Sequence, residues 1–196
     1  MTSRRAAVAL GVAIAACGKD DRAATKRPAV MIDVAAVNAL VPPALRAALV
    51  FEQRALVIER GQHTTTYTMA APRGWPQTST RFAHLQGDPG TVTRLEVGSS
   101  CDGECTPRPW AAVADRVNFA PRAKGKVRKD DQGPARRTMI ADVERGGART
   151  TDVVTAWWTD GASRYHTCIA WLGAALQDAA PAFERACQTV AIDGAD

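Results

Sequence analysis

The chain has 196 residues, of which 46% are hydrophobic, and a formal net charge of +5 at pH 7. That length suits one domain with a real core, and so mild a positive balance argues against a dedicated nucleic-acid binder. No apolar run approaches the ~20 residues a membrane-spanning helix needs.

The chain opens on a short basic stretch, Met1-Thr2-Ser3-Arg4-Arg5, followed by an apolar run from Ala6 to Ala16. A run this short is expected to be the hydrophobic region of an export signal. Arg4-Arg5 lacks the flanking residues that would mark twin-arginine export. Ile14-Ala15-Ala16-Cys17 resembles the lipobox of bacterial lipoproteins, with a branched aliphatic residue, two small residues and the cysteine that accepts lipid. The resemblance implies cleavage before Cys17 and lipidation of that cysteine, giving an envelope protein held on the inner or outer membrane. Each buried methylene of an acyl chain contributes about 0.8 kcal/mol, so several chains anchor stably without a transmembrane helix. Loss of residues 1–16 removes Arg4 and Arg5 and no acid, which lowers the net charge from +5 to +3. Residues 17–35 begin polar and charged and read as a flexible tether. Residues 36–196 read as a single domain.

Pro42-Pro43 ends the apolar Val30–Val41 segment, and a short helix is expected over Ala44–Leu49 with Pro43 at its start. Phe51–Glu59 and Thr64–Met69 are rich in β-formers around Gly61-Gln62 and predict a hairpin. Thr91–Val97 alternates and predicts a strand entering the Cys101–Cys105 loop. Trp110, Val113, Ala114 and Val117 fall on one helical face. Residues 122–137 are polar and basic. Strands are expected at Thr138–Val143, Val153–Trp158 and Tyr165–Leu172, with turns at Gly146-Gly147 and Asp160-Gly161. Pro181–Val190 is expected to be helical, burying Phe183, Cys187 and Val190. The pattern predicts an α+β domain, an antiparallel sheet flanked by helices.

Pro72-Arg73-Gly74-Trp75, after the Tyr67–Ala71 strand, resembles the entry of PsbP-like domains. The ending is similar too: an aromatic strand from Tyr165, a helix around Ala182-Phe183-Glu184, and a last apolar stretch, Val190-Ala191-Ile192. The resemblance runs in element order from Phe51 to Ile192. It implies an α/β/α sandwich used for binding or assembly, with the Cys101–Val117 region as an insertion.

Five cysteines become four once Cys17 carries lipid. In an oxidising compartment Cys101, Cys105, Cys168 and Cys187 suggest two disulfides with three possible pairings. The sequence-local pairing, Cys101 with Cys105 and Cys168 with Cys187, is preferred. The rival is a zinc or copper site built from these cysteines and His166. Asp102, Gly103 and Glu104 form the tip of the first loop. Two acids fall short of the six to eight oxygens calcium takes, so the tip is read as a pre-ordered surface for a partner.

No G-x-S-x-G, H-E-x-x-H, P-loop or dinucleotide glycine pattern is present, so no catalytic residue and no cofactor is assigned. His63 is expected in a turn and His84 in a solvated loop, whereas His166 shares a strand face with Cys168 at the core margin. Lys124, Lys126 and Arg128 recur at every second residue and in a strand would share one exposed face. They suit a lysine-protected sheet edge, or contact with anionic headgroups, cell-wall polymers or another envelope protein. Adjacent Trp157 and Trp158 should point to opposite faces. The expected function is a membrane-tethered, non-enzymatic binding or assembly module. A hydrolase with a dispersed site and a metal-binding lipoprotein are the alternatives.

Overall fold

The computed structural model describes residues 31–60, 63–81, 83–87, 92–100, 119–145, 147–158 and 164–193. Within them, ten strands form two antiparallel sheets. β1 (Phe51–Arg60) and β2 (His63–Pro72) are the hairpin the sequence predicts, paired from Phe51↔Pro72 to Arg60↔His63. The last strand, β10 (Ala191–Asp193), adds to the other side of β2. The larger sheet has seven strands in the order β3-β4-β5-β9-β8-β7-β6. Their ranges are β3 Gln77–Ser79, β4 Ala83–Gln86, β5 Arg94–Ser100, β6 Lys126–Gln132, β7 Arg136–Arg145, β8 Ala148–Trp158 and β9 Tyr165–Leu172. At the side of β1 the two sheets meet, where Thr80 accepts from the Glu59 amide (2.9 Å) and Gln77 Nε2 donates to the Val57 carbonyl (2.8 Å).

Pleating divides the large sheet into two faces. Leu95, Val97, Ile140, Val153, Cys168, Ala170 and Leu172 belong to the main core, which is shared with the small sheet and two helices. Met139, Ala141, Val154, Ala156, Ile169 and Trp171 make a second cluster with Phe119. β9 is buried along its whole length, which explains its nearly continuous apolar sequence.

Helix α1 (Val34–Ala39) starts at Asp33, whose carboxylate accepts from the Ala36 amide, and it buries Val37. Its Asn38 side chain donates to the Phe51 carbonyl and accepts from the Phe51 amide, so one amide acts as a strand partner at the start of β1. Ile32 N donates to Gln53 Oε1, so chain–domain contacts begin within the stretch read as the end of the tether. α2 (Ala120–Ala123) is a single turn after Phe119. α3 (Ala180–Gln188) carries Pro181 in its first turn and buries Ala182, Phe183, Ala186 and Cys187 along one side. Phe183 meets Phe51 edge-on at 5.1 Å and Trp75 at 5.8 Å. Cys187 is bonded to Cys168 of β9, with Cα atoms 5.5 Å apart, which ties α3 to the centre of the large sheet.

This architecture corrects the expected α+β, PsbP-like α/β/α sandwich. The helices among the described residues span six, four and nine residues and do not form layers on both faces of a sheet. The small sheet takes the place of one helical layer. Three of the four surplus strands, β3, β4 and β10, are short. The fourth, β6, has all seven residues exposed and therefore no apolar alternation to reveal it. The helix expected over Ala44–Leu49 is instead a 3-10 turn at Pro43–Leu45. The expected helix at Trp110–Val117 lies outside the described residues.

Candidate functional site

The basic segment singled out in the sequence becomes the rim of an open cleft of about 510 Å³ at the β6 edge of the large sheet. Lys124 and Gly125 turn the chain from α2 into β6, and Lys126 is the first residue of that strand. A Cβ on Gly125 would collide with the Asp142 carbonyl, so only glycine lets this turn approach β7 so closely. Lys126 lies opposite Asp142, which lies opposite Thr151, while Glu144 lies opposite Arg149. The cleft is lined by three cations, Lys124, Lys126 and Arg149, by Asp142 and Glu144, and by Pro121 and Val143.

The two acids differ in their neighbours. Asp142 is gripped at both oxygens by Arg128 (3.0 and 2.8 Å) and accepts from Thr151 Oγ1 (2.9 Å). Burial opposes its charge, but the Arg128 and Thr151 hydrogen bonds, with the charges of Arg128 and Lys126, hold its pKa below the ordinary aspartate value. Among the described residues no ion pair engages Lys124, Lys126, Arg149 or Glu144.

Register along β6 is interrupted between Val127 and Lys129. The break undoes the simple alternation expected of Lys124, Lys126 and Arg128. Beyond it, Lys129 Nζ reaches Glu184 of α3 (2.6 Å), and Arg137 forms a two-point pair with Asp130 (2.9 and 2.7 Å). The Glu184 hydrogen bond raises the Lys129 pKa, and the Arg137 hydrogen bond lowers that of Asp130.

Behind the cleft lies a buried ion cluster. Asp152 of β8 is fully buried and accepts from Arg122 Nε (2.9 Å), Arg145 Nη2 (2.5 Å) and Thr150 Oγ1 (2.9 Å). Arg122 belongs to α2 and is itself buried; desolvation lowers its pKa, against the pull of Asp152. Trp171 lies beneath, with the guanidinium of Arg94 at 4.0 Å from its ring and that of Arg122 at 5.9 Å. Asp152 thus holds α2 against the sheet, and α2 delivers Lys124 and Lys126 to the cleft. Sequence reading places Arg122 in the basic segment but passes over Arg145, Arg149 and Asp152. The available signal was Thr150-Thr151-Asp152, a polar triplet leading into the apolar run that starts at Val153.

The remaining expectations fall elsewhere. Cys17, Cys101, Asp102, Gly103, Glu104 and Cys105 lie outside the described residues. Cys168 and Cys187 are bonded to each other, as the preferred pairing has it, so neither is a thiolate ligand for the metal alternative. His63 is the first residue of β2. His84 is on β4 rather than in a solvated loop, with Nε2 2.7 Å from Glu96 Oε2. His166 is 1% exposed, with Nδ1 3.2 Å from the Tyr67 hydroxyl and its ring stacked on Trp157 at 5.7 Å. That is a deeper setting than the core margin. Trp157 packs against the main core and Trp158 stacks on Tyr165, so the adjacent indoles do part.

No protein-family model matches this chain, and no curated protein matches it.

Proposed function

We propose that this chain is a lipid-anchored protein of the bacterial envelope whose domain serves as a non-enzymatic binding or assembly module. The observation that carries the reading is Ile14-Ala15-Ala16-Cys17, placed directly after a short basic and then apolar leader. The Cys168–Cys187 disulfide supports it, because such bonds persist in oxidising compartments. The edge cleft supports the binding role. It offers exposed cations on a scaffold whose buried charges answer one another.

The test is metabolic labelling with palmitate in a bacterial host that processes lipoproteins. The wild-type chain should incorporate label and lose residues 1–16, and Cys17→Ala should do neither. Label retained by Cys17→Ala, or an uncut wild-type chain, overturns the reading.

A further inference from the structure

We propose that the β6-edge cleft binds a phosphate group, and that its source is the anionic phospholipid headgroup of the membrane to which the tether confines the domain. The proposal deepens the tethered-module reading and rests on it only for the source of the phosphate.

Three observations combine. First, Lys124, Lys126 and Arg149 come from a turn and two different strands, yet line one open cleft. Among the described residues none of the three has an ion-pair partner. Each is exposed and open to a ligand from outside. Second, the acids do not cancel them. Asp142 is already held by Arg128 and Thr151. That leaves Glu144 as the one acid among the lining residues with no such partner, and three cations face it. The surplus suits an anion carrying one to two charges, and a phosphate oxygen accepts from lysine and arginine alike. Third, the wall is pre-organised. Arg122 is clamped to buried Asp152, and Gly125 is fitted against β7, so little ordering remains to be done on binding.

Geometry favours a membrane source. Thirteen residues, 18–30, separate Cys17 from the first described residue. A chain of that length reaches at most about 50 Å even when fully extended, which keeps the cleft within reach of the bilayer surface. At such a surface each lysine or arginine strengthens attraction to anionic lipid by roughly five-fold.

Two arms test this on the full chain. In the first, inorganic phosphate is titrated into ¹⁵N-labelled protein at constant ionic strength. The amides of Gly125 and Lys126 should shift with saturation, and Lys124→Gln/Lys126→Gln should weaken the apparent affinity at least ten-fold. In the second, amine-reactive labelling of Lys124 and Lys126 is compared on vesicles of phosphatidylcholine with and without 30% phosphatidylglycerol. Labelling should fall several-fold only on the anionic vesicles. Arg149→Glu should abolish the protection, whereas Arg81→Glu, an equal charge change at an exposed turn, should not.

Unsaturable or absent amide shifts overturn the phosphate site. Saturable shifts without vesicle protection overturn the lipid source, as does equal loss in Arg149→Glu and Arg81→Glu. The phosphate arm does not depend on the anchor. An unlabelled Cys17 with a saturable cleft therefore refutes the tethered reading and upholds the site.

Discussion

Asp152→Asn is the perturbation that bears most directly on how the edge of the large sheet is held. The side chain keeps its size but loses its charge, and one of its two acceptor oxygens becomes an NH₂ facing guanidinium donors. Three bonds converge on Asp152, from Arg122, Arg145 and Thr150. Arg145 is about a third exposed, so water screens its share, and that contact accounts for little of the effect. Arg122 is different, with its side chain 5% exposed. Its guanidinium does not give up its proton in a protein, so the substitution leaves a buried charge without its hydrogen-bonded counterion. Removing one member of such a pair costs about 3–5 kcal/mol. The protein has a cheaper escape, because α2 is a single turn that can swing out and hydrate Arg122. We therefore expect a loss near the lower figure, about 3 kcal/mol, in urea unfolding. It should be accompanied by faster hydrogen exchange at Gly125, whose amide donates to the Arg122 carbonyl. Arg122→Met in the Asp152→Asn background should recover part of the loss, since an apolar side chain there has no charge to strand. A loss below 1 kcal/mol with unchanged exchange at Gly125, or strict additivity of the two substitutions, would refute the clamp.

Two further outcomes follow from the same structure. Reducing Cys168–Cys187, or replacing both cysteines with alanine, should cost about 3 kcal/mol on a chain-entropy estimate for the loop it closes. Urea melts with and without reductant check this, and an unchanged midpoint after mass-verified reduction would count against it. Stability should also fall on the acid side. Asp142 and Asp130 titrate below their ordinary value in the folded protein, so their contribution is present above the unfolded aspartate pKa, near 3.8. It is lost as pH falls through the folded values below that. Asp142→Asn should flatten the stability profile between about pH 4 and pH 2, measured by urea midpoints across that range, and an unchanged slope would dismiss the Arg128 pair as a stabilising contact.

What the sequence reveals here depends on how a residue's neighbours are supplied. β1, β2, β7, β8, β9 and α3 bury apolar side chains, and burial leaves a periodic trace within a single segment. β6 has none, because every residue from Lys126 to Gln132 is exposed and the strand is defined by its backbone pairing to β7. The Pro72-Arg73-Gly74-Trp75 stretch suggested a fold, yet locally it specifies only a turn, with Gly74 at φ 77° and Trp75 packed on Phe183. A turn of that kind fits many architectures, which is why it misled about the layers. Lys124, Lys126 and Arg128 were visible as a basic run, but Arg128's partner, Asp142, sits 14 residues on, and Arg149 joins the cleft only through β8. Asp152 was legible in principle. An acid in a strand buried on both faces must have a charged partner, although nothing local says that the partner is Arg122.

The edge strand raises a physical question that these placements answer. A strand with no buried side chain gains little from the hydrophobic effect, and its lysines forgo packing in exchange for solvation. β6 is held instead from both faces of the sheet. On one side Arg122, three residues before Gly125, is locked to Asp152. On the other, Lys129 reaches Glu184 of α3, and α3 is itself stapled to β9 through Cys187. The Lys129 contact is half-exposed and contributes at most about 1 kcal/mol. Of these two contacts the buried clamp is the stronger, and it acts at the end of β6 where Lys124 and Lys126 line the cleft. The buried clamp thus lies beside the most cationic part of this edge. An edge protected only against strand pairing would need the charges but not the buried aspartate behind them. That pairing of a solvated basic rim with a desolvated clamp is what separates a built cleft from a merely soluble edge.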